Sequence, residues 1–247
     1  MIFNYKNIAD LQKDSSKIIQ HVNENGYCAI RGLFNRDELR NKIKTLFEYA
    51  NSTQKGSSAG TKPHEIKSNM AKWSIGGQSK VQSDLPRFMV TVYNTFFSQD
   101  IFNLHADFSQ LIEVRDAIAQ RDALTDKALL PERYNGCRIQ IYPAGGGFMG
   151  MHTDTTAVSS LRTKNDAYIQ LLLLLTERGT DYQDGGAFIM QNGEYVDTET
   201  ATQTGDILVY DGATMHGVSD IDSNKVFDAN DLRGRAVSLV TIYKNQL

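Results

Sequence analysis

The C-terminal half of the chain is a series of short apolar segments separated by turn residues, and this pattern limits the possible folds more than any other feature. From Tyr134 onward the segments are CRIQIYPAG, AYIQLLLLLTE, GGAFIMQNG, EYVDTET, GDILVYDGAT, HGVSDI and GRAVSLVTIYK. Short strands at this spacing are typical of a β-sandwich or a jelly roll. We therefore predict a mainly β fold in which residues 134–247 form a jelly-roll core.

The N-terminal half is predicted to be mainly helical. Apolar residues recur at helical spacing in residues 8–23 and again from about 99 to 123. Asn35 precedes RDELRNKIKTLFEYAN, which has acidic residues in its first turn and apolar residues on one face, so Asn35 is predicted to cap a helix. The run GYCAIRGLF is predicted to be a strand. We expect residues 1–133 to buttress the core within a single domain, 1–247.

Residues 51–85 form a long segment rich in Ser, Gly, Lys and Gln. A loop of this length within a compact domain is usually functional or disordered. We predict a lid over a binding site, in which Lys72 and Trp73 contact a substrate and Arg87 is a further candidate. In the alternative interpretation, Trp73 packs under the loop and the lysine is solvated.

Composition and charge exclude several classes of partner. The formal net charge is -3, from 26 Lys and Arg and 29 Asp and Glu, which argues against binding to nucleic acid or to an anionic membrane. The N-terminus does not have the pattern of a signal peptide, and the longest apolar run, residues 171–175, is too short to span a bilayer. We expect a cytoplasmic protein in which Cys28 and Cys137 are buried thiols.

The stretch GGGFMGMHTDTT contains a candidate pair of metal ligands, His152 and Asp154. Residues i and i+2 of a strand point to the same side, so both side chains can reach one ion at or near a strand end. A second such triplet, His105 and Asp107 in LHADF, falls in a helical pattern, where the two side chains diverge. The context therefore favours the pair at 152 and 154.

The best candidate for a third ligand is His216, which lies just beyond the predicted strand DILVY. It comes alongside the first pair if the two strands are neighbours in the barrel. Two histidines and one carboxylate leave three open positions on an octahedral ion. This is the facial arrangement that non-haem Fe(II) oxygenases use.

Two further strands carry polar side chains that are costly to bury without a ligand. In RIQIY, a period of two places Arg138, Gln140 and Tyr142 on one face and the apolar residues between them on the other. In GRAVSLVTIY, Arg235 heads a mainly apolar face. An arginine in this position can offer a bidentate fork to a carboxylate inside a barrel, although it can also be a surface charge at a strand end.

In this order, these features resemble the Fe(II)/2-oxoglutarate-dependent dioxygenases, especially their prolyl-hydroxylase-like branch. The resemblance covers roughly residues 137–243: a strand ending in Tyr-Pro and a glycine-rich turn, H-x-D, a Leu-rich strand, DGGAFIM, a Gly-Asp strand leading to the distal histidine, and a closing strand with arginine. It implies a double-stranded β-helix, a jelly-roll or cupin-like core, with Fe(II), 2-oxoglutarate and O2 as cofactor and cosubstrates.

Carried over residue by residue, the resemblance implies that His152, Asp154 and His216 bind Fe(II). It also implies that Arg235 pairs with the far carboxylate of 2-oxoglutarate and that Tyr142 donates a hydrogen bond to it. Because a polar loop lengthens the gap after His216, Arg233 is a rival for the arginine role, and strand parity does not separate the two.

The activity implied is hydroxylation of an unactivated C–H bond. Halogenating relatives replace the carboxylate ligand with a small residue, whereas this chain keeps Asp154. We expect a small amino-acid-like or natural-product metabolite as substrate, with Arg138 and Gln140 among its contacts. The alternatives are a hydroxylase of a protein or peptide side chain and a jelly-roll binding module without turnover.

Overall fold

The computed structural model describes residues 1–57, 68–75, 87–124, 133–154 and 169–244. The helices in these ranges are α1 (Ile8–Lys13), α2 (Ser15–Asn25), α3 (Arg36–Ser52) and α4 (His105–Ile118). The strands are β1 (Ile2–Asn4), β2 (Tyr27–Arg31), β3 (Lys55–Ser57), β4 (Met70–Ile75), β5 (Phe88–Tyr93), β6 (Arg133–Pro143), β7 (Gly147–His152), β8 (Ile169–Leu174), β9 (Gly186–Gln191), β10 (Glu194–Asp197), β11 (Ile207–Asp211), β12 (His216–Ile221) and β13 (Gly234–Lys244).

The strands form two sheets that pack face to face. The large sheet has the order β1-β2-β11-β8-β13-β6-β5-β4-β3, and the small sheet has the order β10-β9-β12-β7. Met89 and Tyr142 of the large sheet pack in one buried cluster with Val218 and Ile221 of the small sheet. This is the predicted jelly-roll core, with the helices on the outer side of the large sheet.

The large sheet is buried on both faces. On β8, Leu171 and Leu173 belong to the core that packs against the helices, whereas Leu172 and Leu174 face the interior between the sheets. A strand buried on both sides has no polar face. This explains the unbroken leucine run in the sequence.

The helices α3 and α4 begin where side chains satisfy their first amide groups. The Asn35 oxygen accepts hydrogen bonds from the amides of Asp37 and Glu38 at 3.0 and 3.3 Å, so the predicted cap of α3 is confirmed. The helix expected from residue 99 begins only at His105, because the Asp100 carboxylate accepts from the amides of Leu104 and His105 at 2.9 and 3.1 Å.

Two other sequence-based expectations have clear outcomes. The helical pattern of residues 8–23 belongs to two helices, α1 and α2, which meet at Asp14. Cys28 and Cys137 are buried thiols, as predicted. Among the described helices, none combines the length and apolar character needed to cross a membrane.

The segment predicted to be a lid contributes strands to the large sheet. Within residues 51–85, β3 pairs with β4, and β4 pairs in turn with β5. Residues 58–67 and 76–86 lie outside the described part of the chain. Because the segment is polar, the sequence did not predict β4. This strand pairs with β5, and β5 pairs in turn with β6.

A buried carboxylate, Glu177, ties the start of α3 to the loops at one end of the jelly roll. It accepts hydrogen bonds from Arg36 Nε at 3.2 Å, from the Thr204 amide at 3.0 Å and from Thr180 Oγ1 at 3.1 Å. Burial alone would raise the pKa of Glu177, but these hydrogen bonds and the charge of Arg36 lower the pKa to about 2.

We expect Glu177→Gln to lower the free energy of unfolding at pH 7 by an amount on the order of 2 kcal/mol. Because the folded pKa lies below the unfolded value, the carboxylate stabilises the fold above about pH 4.5, and this contribution is lost as the pH falls towards 2. Urea unfolding of both proteins between pH 7 and pH 3 should therefore show their stabilities converging at low pH. Asp10→Asn, which removes an exposed pair with Lys13, is the control with little expected effect. A difference that does not change with pH would contradict the assignment.

Candidate metal centre

Three potential ligands meet at the end of the small sheet. His152 is the last residue of β7, Asp154 follows two residues later, and His216 begins β12, where it lies opposite His152 in the antiparallel register. The Nε2 atoms of His152 and His216 are each 3.9 Å from an Asp154 carboxylate oxygen. One ligand atom from each residue lies within 4.8 Å of the others. The pair and its predicted third member are therefore brought together.

Both imidazole rings are oriented by the backbone. His152 Nδ1 is 2.8 Å from the Gly150 carbonyl oxygen, and His216 Nδ1 is 2.8 Å from the Thr214 carbonyl oxygen. Since a carbonyl oxygen only accepts, each Nδ1 carries the proton and donates it. This fixes the tautomer in which Nε2 has the lone pair for a metal, as is usual for metal-binding histidines.

The carboxylate of the triad is also held and aimed. The Asp154 amide donates to the Gly212 carbonyl oxygen at 2.9 Å. Its Oδ2 atom is buried and has no hydrogen-bond partner among the described residues. A buried carboxylate oxygen without a donor is unfavourable unless a cation binds it. The donor set of two imidazoles and one carboxylate fits Fe(II) in a facial arrangement.

The triad opens into a cavity between the two sheets. The cavity encloses about 590 Å³, counted with its open mouth. Its polar lining includes Arg138, Gln140, Tyr142 and Arg235, all of which come from the inner face of the large sheet. The predicted alternation along β6 is therefore observed, since Cys137, Ile139 and Ile141 pack on the opposite side against the helical core.

Arg235 and Tyr142 lie opposite each other in the register of β13 and β6. The Arg235 guanidinium carbon is 5.3 Å from the centre of the Tyr142 ring, and the Tyr142 hydroxyl donates to Gln140 Oε1 at 3.2 Å. Burial raises the pKa of Tyr142 to about 12, against the opposing charges of Arg235 and Arg138. The phenol is therefore a neutral hydrogen-bond donor at physiological pH.

The structure separates the two arginines that strand parity leaves equivalent. Arg235 is 1% exposed and lines the cavity. The Arg233 side chain is 74% exposed and pairs with Asp231. The structure therefore places Arg235 in the cavity and Arg233 at the surface.

Arg235 is already paired with an acidic residue that the sequence interpretation missed. Its Nε donates to both carboxylate oxygens of Glu199 at 2.9 and 3.0 Å, and its Nη2 donates to Oε1 at 2.5 Å. The Tyr182 hydroxyl also donates to Glu199, at 2.6 Å. Nothing in the sequence distinguishes Glu199 from a surface acid, because its partners lie 36 and 17 residues away along the chain.

The predicted substrate residues lie in different places. Arg138 lines the cavity and stacks on Tyr243, with its guanidinium carbon 5.1 Å from the ring centre. Lys72 is on the inner face of the large sheet, 5.8 Å from the centre of the Tyr93 ring, while Trp73 is on the outer face and packs against the helical core. Neither Lys72 nor Trp73 is among the described residues that line the cavity.

No protein-family model matches the chain, and no curated protein matches it by sequence. Several solved structures, however, have a similar backbone fold. A Trichoplax adhaerens prolyl hydroxylase in complex with a peptide fragment of the hypoxia-inducible factor oxygen degradation domain has a TM-score of 0.56 and 13% identity, over 95% of this chain and 91% of that one.

Two further solved structures are similar over most of the chain. A full-length Neurospora crassa protein in complex with alpha-KG, which is 2-oxoglutarate, has a TM-score of 0.58 and 15% identity, over 98% of this chain and 84% of that one. The fold is that of the 2-oxoglutarate–Fe(II) oxygenases. The alpha-ketoglutarate-dependent epimerase SnoN from nogalamycin biosynthesis also shares this oxygenase fold, with a TM-score of 0.56 and 10% identity, over 94% of this chain and 83% of that one.

We expect His152→Ala and His216→Ala each to weaken binding of Co(II), used as a stand-in for Fe(II), by about 100-fold or more, because each removes a ligand atom. Calorimetric titration of the metal-free protein measures the change. His105→Ala is the matched control, since His105 belongs to the other H-x-D triplet and begins α4. Equal losses in all three variants would show that the triad is not the metal site.

Proposed function

We propose that the protein is an Fe(II)/2-oxoglutarate-dependent oxygenase that hydroxylates an unactivated C–H bond of a small amino-acid-like or natural-product metabolite. One observation carries this proposal. The ligand triad of His152, Asp154 and His216 and the paired Arg235 and Tyr142 face the same cavity from opposite sheets.

The ligand set supports iron as the metal. The two oriented Nε2 atoms and the Asp154 carboxylate would hold an Fe(II) ion and leave positions for other ligands. When bound, iron supplies the oxidation in which 2-oxoglutarate and O2 give succinate, CO2 and an oxygen atom inserted into a C–H bond. The protein's own residues provide binding, orientation and exclusion of water.

Arg235 and Tyr142 are proposed to bind the far carboxylate of 2-oxoglutarate. The guanidinium offers charge-assisted hydrogen bonds, and the neutral phenol of Tyr142 would donate its hydroxyl to the ligand in place of Gln140 Oε1. Both residues are almost completely buried, so their hydrogen bonds to a carboxylate are shielded from water.

Arg138 and Gln140 are proposed to contact the substrate. Arg138 Nε and Thr241 Oγ1 are buried without a hydrogen-bond partner among the described residues. Thr241 lies on the same inner face, diagonally across from Arg138, because Leu239 is opposite Arg138 and Thr241 is opposite Gly136. Of these two residues, Arg138 lines the cavity, so a substrate carboxylate there would accept from Arg138, which supports an amino-acid-like molecule.

The second candidate is a hydroxylase of a protein or peptide side chain. It is supported by the shared fold of the Trichoplax adhaerens prolyl hydroxylase, which was solved with a peptide fragment. Retention of the complete ligand triad argues against a binding module without turnover.

The proposal is tested by anaerobic titration of the metal-free protein with Fe(II) and then 2-oxoglutarate, following the visible charge-transfer band of the chelated keto acid. The wild-type protein should develop the band. We expect Arg235→Lys to raise the Kd for 2-oxoglutarate about tenfold, because lysine has no bidentate fork.

The same exchange at the neighbouring arginine, Arg233→Lys, is the control and should leave the Kd unchanged, since Arg233 is outside the cavity. If the wild-type protein binds iron but develops no band, the assignment of 2-oxoglutarate is wrong. A Kd that changes only in Arg233→Lys would instead move the carboxylate site to Arg233.

The substrate class is tested by succinate release in the presence of free amino acids, their methyl esters and short peptides. We expect free acids to stimulate release and esters to be much weaker, because Arg138 binds the carboxylate. Arg138→Leu should abolish the preference for the acid without changing the Kd for 2-oxoglutarate. Stimulation by peptides alone would favour the second candidate.

A further inference from the structure

Glu199 pairs with the proposed carboxylate-binding arginine and is not among the described residues that line the cavity. The side chains of Arg235 and Glu199 are 2% and 1% exposed, so this ion pair is shielded from solvent. Glu199 follows β10 of the small sheet, whereas Arg235 is in β13 of the large sheet. The pair therefore joins the two sheets at the point where 2-oxoglutarate is proposed to bind.

The contacts engage only part of the guanidinium. Glu199 accepts from Nε and from one N–H of Nη2. A guanidinium has five N–H donors, so three remain, including both on Nη1. Because Arg235 also lines the cavity, one edge of its planar fork is anchored while other donors are available to a ligand.

Glu199 is itself held rigidly. Its Oε2 accepts from the Tyr182 hydroxyl at 2.6 Å, and its amide donates to Asp197 Oδ1 at 2.8 Å. A Cβ atom at Gly186 would lie 2.7 Å from Oε2, so the carboxylate packs directly against the glycine backbone. Burial alone would raise the pKa of Glu199, but the charge of Arg235 and the hydrogen bonds from Arg235 and Tyr182 hold the pKa below its usual range.

Removing one member of a buried ion pair leaves the other as an unpaired charge, which is strongly unfavourable. Glu199 therefore keeps Arg235 charge-balanced before any ligand arrives. The Glu199 carboxylate would also share the Arg235 guanidinium with the carboxylate of 2-oxoglutarate. Two negative charges bound to one guanidinium repel each other. Glu199 therefore has two effects that can be tested separately. It orients the Arg235 guanidinium, and it offsets the positive charge that a ligand meets.

We infer that Glu199 is a positioning residue for 2-oxoglutarate, orienting the Arg235 fork towards the cavity and offsetting its charge. This inference rests on the proposed function, because it assigns Glu199 a role in that same cosubstrate site. Glutamine at this position keeps the shape and one accepting oxygen for Arg235, but it replaces the other oxygen with a donating NH2 group and removes the charge. Alanine removes the anchor as well.

The experiment measures the Kd of 2-oxoglutarate for Fe(II)-loaded protein under anaerobic conditions, together with the Tm with and without 2-oxoglutarate. Glu199→Gln should lower the Tm of the protein without 2-oxoglutarate and bind the cosubstrate roughly fivefold more tightly than wild type, because one repulsive charge is gone. Glu199→Ala should bind it about tenfold more weakly, because Arg235 loses its orientation.

Asp206→Ala is the matched control. Asp206 is an equally buried carboxylate that pairs with Arg31 through two hydrogen bonds of 2.8 and 2.6 Å, and neither residue lines the cavity. Its loss should lower the Tm but leave the Kd for 2-oxoglutarate unchanged. This comparison separates a specific effect on the cosubstrate from general destabilisation.

The possible failures are distinguishable. If the wild-type protein binds 2-oxoglutarate and both Glu199 variants bind it with the wild-type Kd, Glu199 is only structural and the inference is wrong. If Glu199→Gln binds as weakly as Glu199→Ala, the carboxylate charge is needed and the offsetting role is overturned. If the wild-type protein binds no 2-oxoglutarate, the proposed function fails and the inference fails with it.

Discussion

The register between β6 and β13 is the constraint on which the site depends. The two strands pair without interruption from Gly234 opposite Pro143 to Lys244 opposite Arg133. Since side chains alternate between faces, this register turns Tyr142 and Arg235 into the cavity and the intervening apolar residues towards the helices. A slip of β13 by one residue against β6 would turn Arg235 into the apolar core and expose apolar side chains of β13 to the cavity.

The parts of the site that the sequence revealed depend on local geometry. The H-x-D spacing and the alternation in RIQIY involve neighbouring residues, so a period of two is enough to place them. His216 is the predicted third ligand, and the pairing of β12 with β7 places it opposite His152. The choice of Arg235 over Arg233 required the structure, because both residues have the same strand parity and differ only in burial.

Other features depend on contacts that are distant along the chain. Glu199 and Tyr182 give no local pattern, and their role emerges only when the two sheets close around Arg235. The strand β4 lies within a segment of polar composition and pairs along its length with β5. The register with β5 also determines which face of the sheet Trp73 occupies. Trp73 faces the helical core, although the composition of the surrounding segment predicted a lid.

The division of the site between the two sheets has a mechanical consequence. The two histidines belong to the small sheet, while Arg235 and Tyr142 belong to the large one. A dicarboxylate that spans from the metal to Arg235 would act as a removable cross-link between the halves of the sandwich. A change in the distance between the two sheets would then strain the bound ligand. The distance between the sheets would therefore limit which lengths of dicarboxylate can bind at both ends.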